Sequence, residues 1–266
     1  MATERRDRDH SASLQQDGIA ASAQTSGRRT RGGAVRPRSR FVRAGLLALV
    51  VLALSGCGDR RINYRLTVSV ETDGGVRTGS GVIGTAWYDQ RLMAGLAQGI
   101  TWQFSVHGQA VPVDLGRHGV LFVLLRGDPA RKRSYPDMAP LLSGLVMPRR
   151  PQGMSFEEGL TLVAHHQGEV DVPCEPLPMM VRFGDIADPK TVERVDPCNL
   201  ARSFGPGVRL ARVTIAVTDE RPTTGIEAWL PWLVPLGDRY LNGEPYGRPG
   251  SLAGSLHTGD FRFNFL

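Results

Sequence analysis

Residues 60–75, RRINYRLTVSVETDGG, decide the fold class of the chain. From Ile62 to Val70 every second residue is apolar, and the residues between them are polar. This period of two is typical of a β-strand with one buried face. The sequence Asp73-Gly74-Gly75 then favours a tight turn, because glycine adopts positive φ without a steric clash. The stretch therefore predicts an antiparallel hairpin whose second arm lies within residues 76–84.

Further apolar stretches predict more strands along the rest of the chain. Residues 120–125, VLFVLL, have no polar alternation, which favours a strand buried on both faces. Alternating or short apolar runs predict the other strands, at residues 102–106, 111–115, 179–183, 213–217 and 261–265.

Signals for helices are fewer than those for strands. Ser155 and Glu158 match a capping box and predict a helix over residues 156–166. Residues 85–98 are ambiguous and are compatible with a short helix, whereas the Pro- and Arg-rich residues 127–154 read as mostly loop. The prediction is a β-rich α+β fold, mostly antiparallel sheet with one or two short helices.

The positive charge of the chain is concentrated at its N-terminus. The 266 residues include 32 Lys and Arg against 26 Asp and Glu, a formal net charge of +6. Residues 1–56 hold ten Arg and four acidic residues, so the remainder carries 22 charges of each sign and no net charge. The basic balance therefore does not indicate a nucleic-acid partner for the folded part. Arg149-Arg150 belongs to a basic loop region that either contacts anionic lipid or cell-wall polymer or is simply solvated.

A short apolar segment near the N-terminus predicts export. Residues 44–54 are uncharged and span about 16 Å as a helix, whereas a membrane-spanning helix needs about 20 residues. Because arginines precede this segment and small residues follow it, residues 36–56 are typical of a signal peptide. Residues 1–35 lack apolar periodicity, so they are either a disordered leader or the result of a mis-assigned start.

The end of the apolar segment, Leu54-Ser55-Gly56-Cys57, resembles the lipobox of bacterial lipoproteins. The resemblance implies cleavage between Gly56 and Cys57 and lipidation of Cys57. Residues 57–61 are then a lipidated N-terminus with a short tether, and residues 62–266 form a single β-rich domain. Gly58 occupies the place where an Asp retains many lipoproteins on the inner membrane. The resemblance therefore favours the periplasmic face of the outer membrane over the inner membrane.

The two other cysteines form an even pair if Cys57 is lipidated. In an oxidising compartment this predicts a disulfide between Cys174 and Cys198. Two free buried thiols or half of a metal site are the alternatives. No CxxC or Cys/His cluster at zinc spacing occurs in the sequence, so we predict neither a metal nor another cofactor.

The main functional expectation is a membrane-anchored envelope lipoprotein with a non-catalytic binding or structural role. Its expected partners are membrane lipid, through acylated Cys57, and an envelope protein or cell-wall polymer, but no nucleic acid. Residues 79–84, GSGVIG, match the dinucleotide motif GxGxxG, but their place in the predicted hairpin favours a glycine-rich strand. Residues 183–210 are similar to a stretch of uncharacterised bacterial envelope proteins, a resemblance that implies no activity.

Two alternative functions remain open. His107, Asp114 and His118 are candidates for a periplasmic metal-assisted hydrolase, provided that the strands bring them together. Trp229 and Trp232 are candidates for a platform that binds cell-wall carbohydrate, although aromatic residues at this spacing more often belong to a core.

Overall fold

Ten strands, all paired antiparallel, form two sheets in the part of the chain that the computed structural model describes, residues 60–89, 102–131, 137–248 and 250–263. The larger sheet has the order β10-β3-β2-β1-β9-β6. Its strands are β1 Arg60–Thr72, β2 Gly75–Asp89, β3 Trp102–Gln109, β6 Glu169–Asp171, β9 Arg209–Thr218 and β10 Arg262–Phe263. The smaller sheet has the order β4-β5-β7-β8. Its strands are β4 Val111–Asp114, β5 Val120–Gly127, β7 Pro178–Phe183 and β8 Val192–Val195.

The predicted hairpin is present and forms the centre of the larger sheet. β1 and β2 pair from Arg60 opposite Trp87 to Thr72 opposite Gly75, so two residues form the loop. Gly75 has a φ of 99°, which explains the glycine at the start of the second arm. β2 continues to Asp89, so the first part of the ambiguous stretch 85–98 is strand rather than helix. The rest of that stretch lies outside the described residues.

Four short α-helices accompany the sheets within the described ranges, rather than the one or two that the sequence predicts. They are α1 Met138–Val146, α2 Phe156–Ala164, α3 Ala201–Phe204 and α4 Leu233–Leu236. The predicted capping box of α2 is confirmed, because the Glu158 amide donates to Ser155 Oγ at 3.2 Å and the Ser155 amide donates to Glu158 Oε2 at 2.8 Å. The β-rich α+β class is therefore confirmed, with more helix than expected.

Helix α1 lies inside residues 127–154, which the sequence predicts as mostly loop. Pro140 is its third residue. In the first turn the backbone N–H groups have no intrahelical partner, so a proline there removes no helical hydrogen bond. The prediction of a loop is therefore wrong over α1, because a proline in the first turn is compatible with a helix.

Strand β5 separates two hydrophobic cores. Leu121, Val123 and Leu125 belong to a core that the larger sheet, α1 and α2 share. Phe122 and Leu124 belong to a second core, which is completed by residues of the C-terminal segment 226–261. All five side chains are buried. The predicted burial of this strand on both faces is confirmed.

The glycine-rich residues 79–84 lie within strand β2, as the sequence predicts. A Cβ atom at Gly79 would stand 2.2 Å from the carbonyl oxygen of Pro112, and one at Gly81 would stand 2.8 Å from a methyl group of Val111. The glycines thus allow β4 of the smaller sheet to pack directly against β2.

Candidate functional site

The structure describes two of the three cysteines in the chain. Gly56 and Cys57 lie outside the described residues. The sulfur atoms of Cys174 and Cys198 are 2.04 Å apart, so the predicted disulfide is present. Within the described ranges, one set of three side chains of the metal-binding types has its ligand atoms within 4.8 Å of one another: these two cysteines and Glu175. Since both sulfurs are in the disulfide, the set does not have the free thiolates of a metal site.

The structure does not bring His107, Asp114 and His118 together into a metal-binding group. His107 lies in β3 of the larger sheet, where its Nε2 atom is 3.1 Å from Ser105 Oγ. Burial, with the positive charge of Arg61, lowers the pKa of His107, so that its imidazole is neutral at pH 7. Asp114 ends β4 of the smaller sheet and accepts a hydrogen bond from a backbone amide two residues on.

His118 links the β1–β2 turn to the end of helix α3. Its Nε2 atom is 2.9 Å from Asp73 Oδ1 in the β1–β2 turn, and its Nδ1 atom is 2.9 Å from the carbonyl oxygen of Phe204. Both ring nitrogens are therefore engaged with protein atoms. The hydrolase hypothesis loses the convergent ligand set that it requires.

Trp229 and Trp232 do not form a shared exposed platform. Trp232 is buried in the second core, where its ring packs edge-on against Phe183 and Phe261 at centroid distances of 5.5 and 5.8 Å. Its indole N–H donates to the carbonyl oxygen of Ile186 at 2.9 Å. Trp229 alone is exposed, at 37%. The carbohydrate hypothesis therefore lacks the paired aromatic surface on which it was based.

An open groove lies between α1, α2 and the end of β2, with a volume of about 1000 Å³. Sequence reasoning missed this site because α1 was predicted as loop. Apolar side chains of both helices and of β2 line it. Phe156 is half-buried, whereas the others are buried in the first core: Trp87, Leu141, Leu145, Leu160 and Val163. An apolar groove of this size is of the kind that binds small organic ligands.

Helix α2 places its apolar side chains on the groove through its periodicity. Phe156, Leu160 and Val163 have the spacing of one helical face. The Phe156 ring packs against Trp87 and Trp102 at centroid distances of 5.2 Å each. This aromatic cluster joins α2 to the end of β2, which carries Trp87, and to the start of β3, which carries Trp102.

Two arginines add positive charge to the groove. Arg149 and Arg150 line it, are exposed, and have no ion pair among the described residues. The stem of Arg150 lies over α2 at Gly159, where a Cβ atom would be 3.1 Å from Arg150 Cδ. The acidic side chain at the groove is that of Asp171, which accepts a hydrogen bond from Arg212 at 2.6 Å. That bond lowers the pKa of Asp171.

The first strand begins beside the helix that lines the groove. Arg60 forms an ion pair with Glu157 of α2 at 2.9 Å and also donates to Thr161. Cys57 precedes Arg60 by three residues, which span at most about 10 Å of extended chain. Helix α2, which lines the groove, therefore also contacts the residue at which the chain enters β1 from the predicted anchor.

No protein-family model matches the chain, and no curated protein or solved structure shows significant similarity to it. Across the described residues, none of the helices has the length and apolar character needed to cross a bilayer. The groove, its charges and the sequence before Arg60 are therefore the features that bear on function.

Proposed function

We propose that the protein is an envelope lipoprotein, anchored through acylated Cys57, that binds an anionic phospholipid of its own membrane in the groove between α1 and α2. The observation that carries this proposal is an apolar groove beside Arg149 and Arg150, two arginines that have no ion pair with any residue that the structure describes. The role is one of binding rather than catalysis. Gly58 after the lipidated cysteine supports a location on the periplasmic face of the outer membrane.

The apolar lining suits an acyl chain. Each methylene group that leaves water gains about 0.8 kcal/mol, so an acyl chain that packs against the half-buried Phe156 in the groove binds more tightly as it becomes longer. The membrane is the nearest source of such chains, because the tether from Cys57 to Arg60 spans about 10 Å.

The charges favour an anionic headgroup. A guanidinium group donates two parallel hydrogen bonds to a phosphate, and it retains its charge at every physiological pH. Arg149 and Arg150 have no protein carboxylate to satisfy them among the described residues. A phospholipid phosphate at this point complements both the charge and the donors.

Photo-crosslinking in vesicles tests the proposal with the full lipoprotein. Phosphatidylglycerol with a diazirine in one acyl chain is the probe, and phosphatidylcholine with the same group is the comparison. We expect crosslinks on α1 and α2. Gly144→Trp places a large side chain in the groove and should reduce the yield, whereas Leu162→Trp is a matched control on an exposed part of α2.

The double variant Arg149→Glu, Arg150→Glu tests the headgroup site separately. Both arginines are exposed, so we expect the variant to fold. We expect a lower yield with phosphatidylglycerol and an unchanged yield with phosphatidylcholine. Equal yields for wild type, Gly144→Trp and Leu162→Trp, or crosslinks confined to other surfaces, would contradict the proposal. Thermal melts establish that each variant is folded.

A further inference from the structure

A second cavity, which shares no lining residue with the groove, is lined by charged side chains. Its volume is about 480 Å³. Four arginines contribute to its wall: Arg131, Arg182, Arg194 and Arg202. Three acidic residues also line it: Asp128, Glu193 and Asp196. The cavity thus has one more positive than negative charge.

Two of the three acidic residues accept hydrogen bonds from arginines. Glu193 Oε2 accepts from Arg182 Nε at 2.8 Å. Asp196 accepts from Arg131, which also donates to the carbonyl oxygen of Cys174 at 3.0 Å. These contacts fix the positions of Arg131 and Arg182, and the two carboxylates neutralise their charges.

The third acidic residue, Asp128, forms longer ion pairs with Arg131, at 3.7 Å from its Nε atom, and with Arg194. Asp128 is 2% exposed and accepts a hydrogen bond from the Ala130 amide at 3.0 Å. Its Oδ1 atom is 3.6 Å from Arg194 Nη1, which is an ion pair but too long for a good hydrogen bond. The Arg194 side chain lines the cavity and has no other hydrogen bond or ion pair in the described part of the chain.

Arg202 supplies the excess positive charge. It is exposed, lies on the short helix α3, and has no ion pair among the residues that the structure describes. Cys198 stands four residues before it, and the disulfide to Cys174 fixes this segment of chain to the residues after β6. The disulfide therefore restrains the chain four residues before Arg202, and both Arg202 and Arg194 line the cavity.

We propose that this cavity binds a small oxyanion, a phosphate or carboxylate group, between Arg194 and Arg202. Guanidinium groups bind such anions through paired, charge-assisted hydrogen bonds, and a buried carboxylate behind one of them fixes its orientation. The site is independent of the phospholipid groove, and it recognises a soluble anion rather than an acyl chain.

Calorimetric titration of the full lipoprotein in a neutral detergent, with inorganic phosphate as the probe, tests this site. We expect saturable binding to one site, with a dissociation constant in the millimolar range or tighter. Arg194→Gln and Arg202→Gln should each weaken it about tenfold, which corresponds to ~1.4 kcal/mol. Arg221→Gln removes the same charge from an exposed arginine that has no ion pair among the described residues, and should change nothing.

Further arms of the titration separate the possible outcomes. Acetate in place of phosphate reports whether the site accepts carboxylates, and binding of either anion supports the proposal. Gly144→Trp should leave phosphate binding intact, because it changes only the groove. Absence of saturable binding for both anions, or equal weakening by Arg202→Gln and Arg221→Gln, would overturn the proposal without affecting the phospholipid hypothesis.

Discussion

Gly79 determines how closely the two sheets approach each other. The motif GxGxxG at residues 79–84 has a phosphate-binding interpretation, yet a strand interpretation follows from its place after the hairpin turn. The structure supports the strand, and it adds a reason for the glycines that the sequence alone does not contain. The space for a side chain at Gly79 is occupied by the backbone of Pro112, from the other sheet.

Gly79→Ala should therefore destabilise the fold. A Cβ atom 2.2 Å from a carbonyl oxygen forces the backbone of β2 or β4 to move, at a cost of about 1–3 kcal/mol. Chemical denaturation of the variant and wild type measures this cost. Gly74→Ala is the matched control, since its nearest contact would be Thr72 Oγ1 at 3.6 Å. Equal midpoints for the two variants would disprove the packing argument.

Glu227 connects the C-terminal strand to the second core. Arg262 of β10 donates to Glu227 Oε1 at 2.6 Å. Partial burial acts to raise the pKa of Glu227, but the hydrogen bonds that its carboxylate accepts and the charge of Arg262 outweigh this effect. The pKa of Glu227 therefore lies below the ordinary value of 4.5 in the folded protein.

This depressed pKa predicts a pH dependence. Because the folded state favours the ionised carboxylate, its contribution to stability is complete above pH 4.5 and is lost as the pH falls through the lower, folded value. Glu227→Gln should lower the melting temperature at pH 7 and flatten its decline below pH 4.5. Glu175→Gln, at an exposed residue without an ion pair in the described ranges, should keep the wild-type profile. Parallel profiles for wild type and Glu227→Gln would refute the assignment.

At the scale of elements, local patterns predict most strands and one helix, but not helix α1. Met138, Leu141, Leu142, Leu145 and Val146 have the i, i+3, i+4, i+7, i+8 spacing of a helix with one buried face, and all are buried. This spacing predicts a helix, whereas the prolines in and around the segment favour a loop. Since α1 forms one wall of the groove, the groove was missed with it.

The arrangement of the strands in two sheets is not contained in any local pattern. β3 ends at Gln109 in the larger sheet, and β4 begins at Val111 in the smaller one. A period of two defines which face of a strand is buried, but not which strand pairs with it. For the same reason the sequence could not decide whether His107 and Asp114 converge.

The disulfide stabilises a segment with little regular structure of its own. Its cysteines are separated by 24 positions, so removal of the link should cost about 3 kcal/mol through the entropy of the unfolded chain. We expect Cys174→Ser with Cys198→Ser to lower the denaturation midpoint accordingly. A reducing agent should shift the wild type to the same midpoint and leave the double variant unchanged. An identical midpoint for oxidised wild type and variant would show that the link adds no stability.

At the scale of the whole molecule, the predicted anchor sets where the protein works. We expect the exported protein to begin at Cys57 and to carry a diacylglyceryl group and an N-acyl chain. Intact mass of the membrane-extracted protein measures both, and Cys57→Ser should abolish the added mass and release the protein from membranes. A mature N-terminus at any other residue would refute the lipoprotein assignment.

Strand β5 contributes adjacent side chains to the two cores, Leu121 to one and Phe122 to the other. A disturbance that displaces this strand removes contacts from both cores at once, so neither can melt while the other persists. The two cores are thereby joined into one cooperative unit of unfolding.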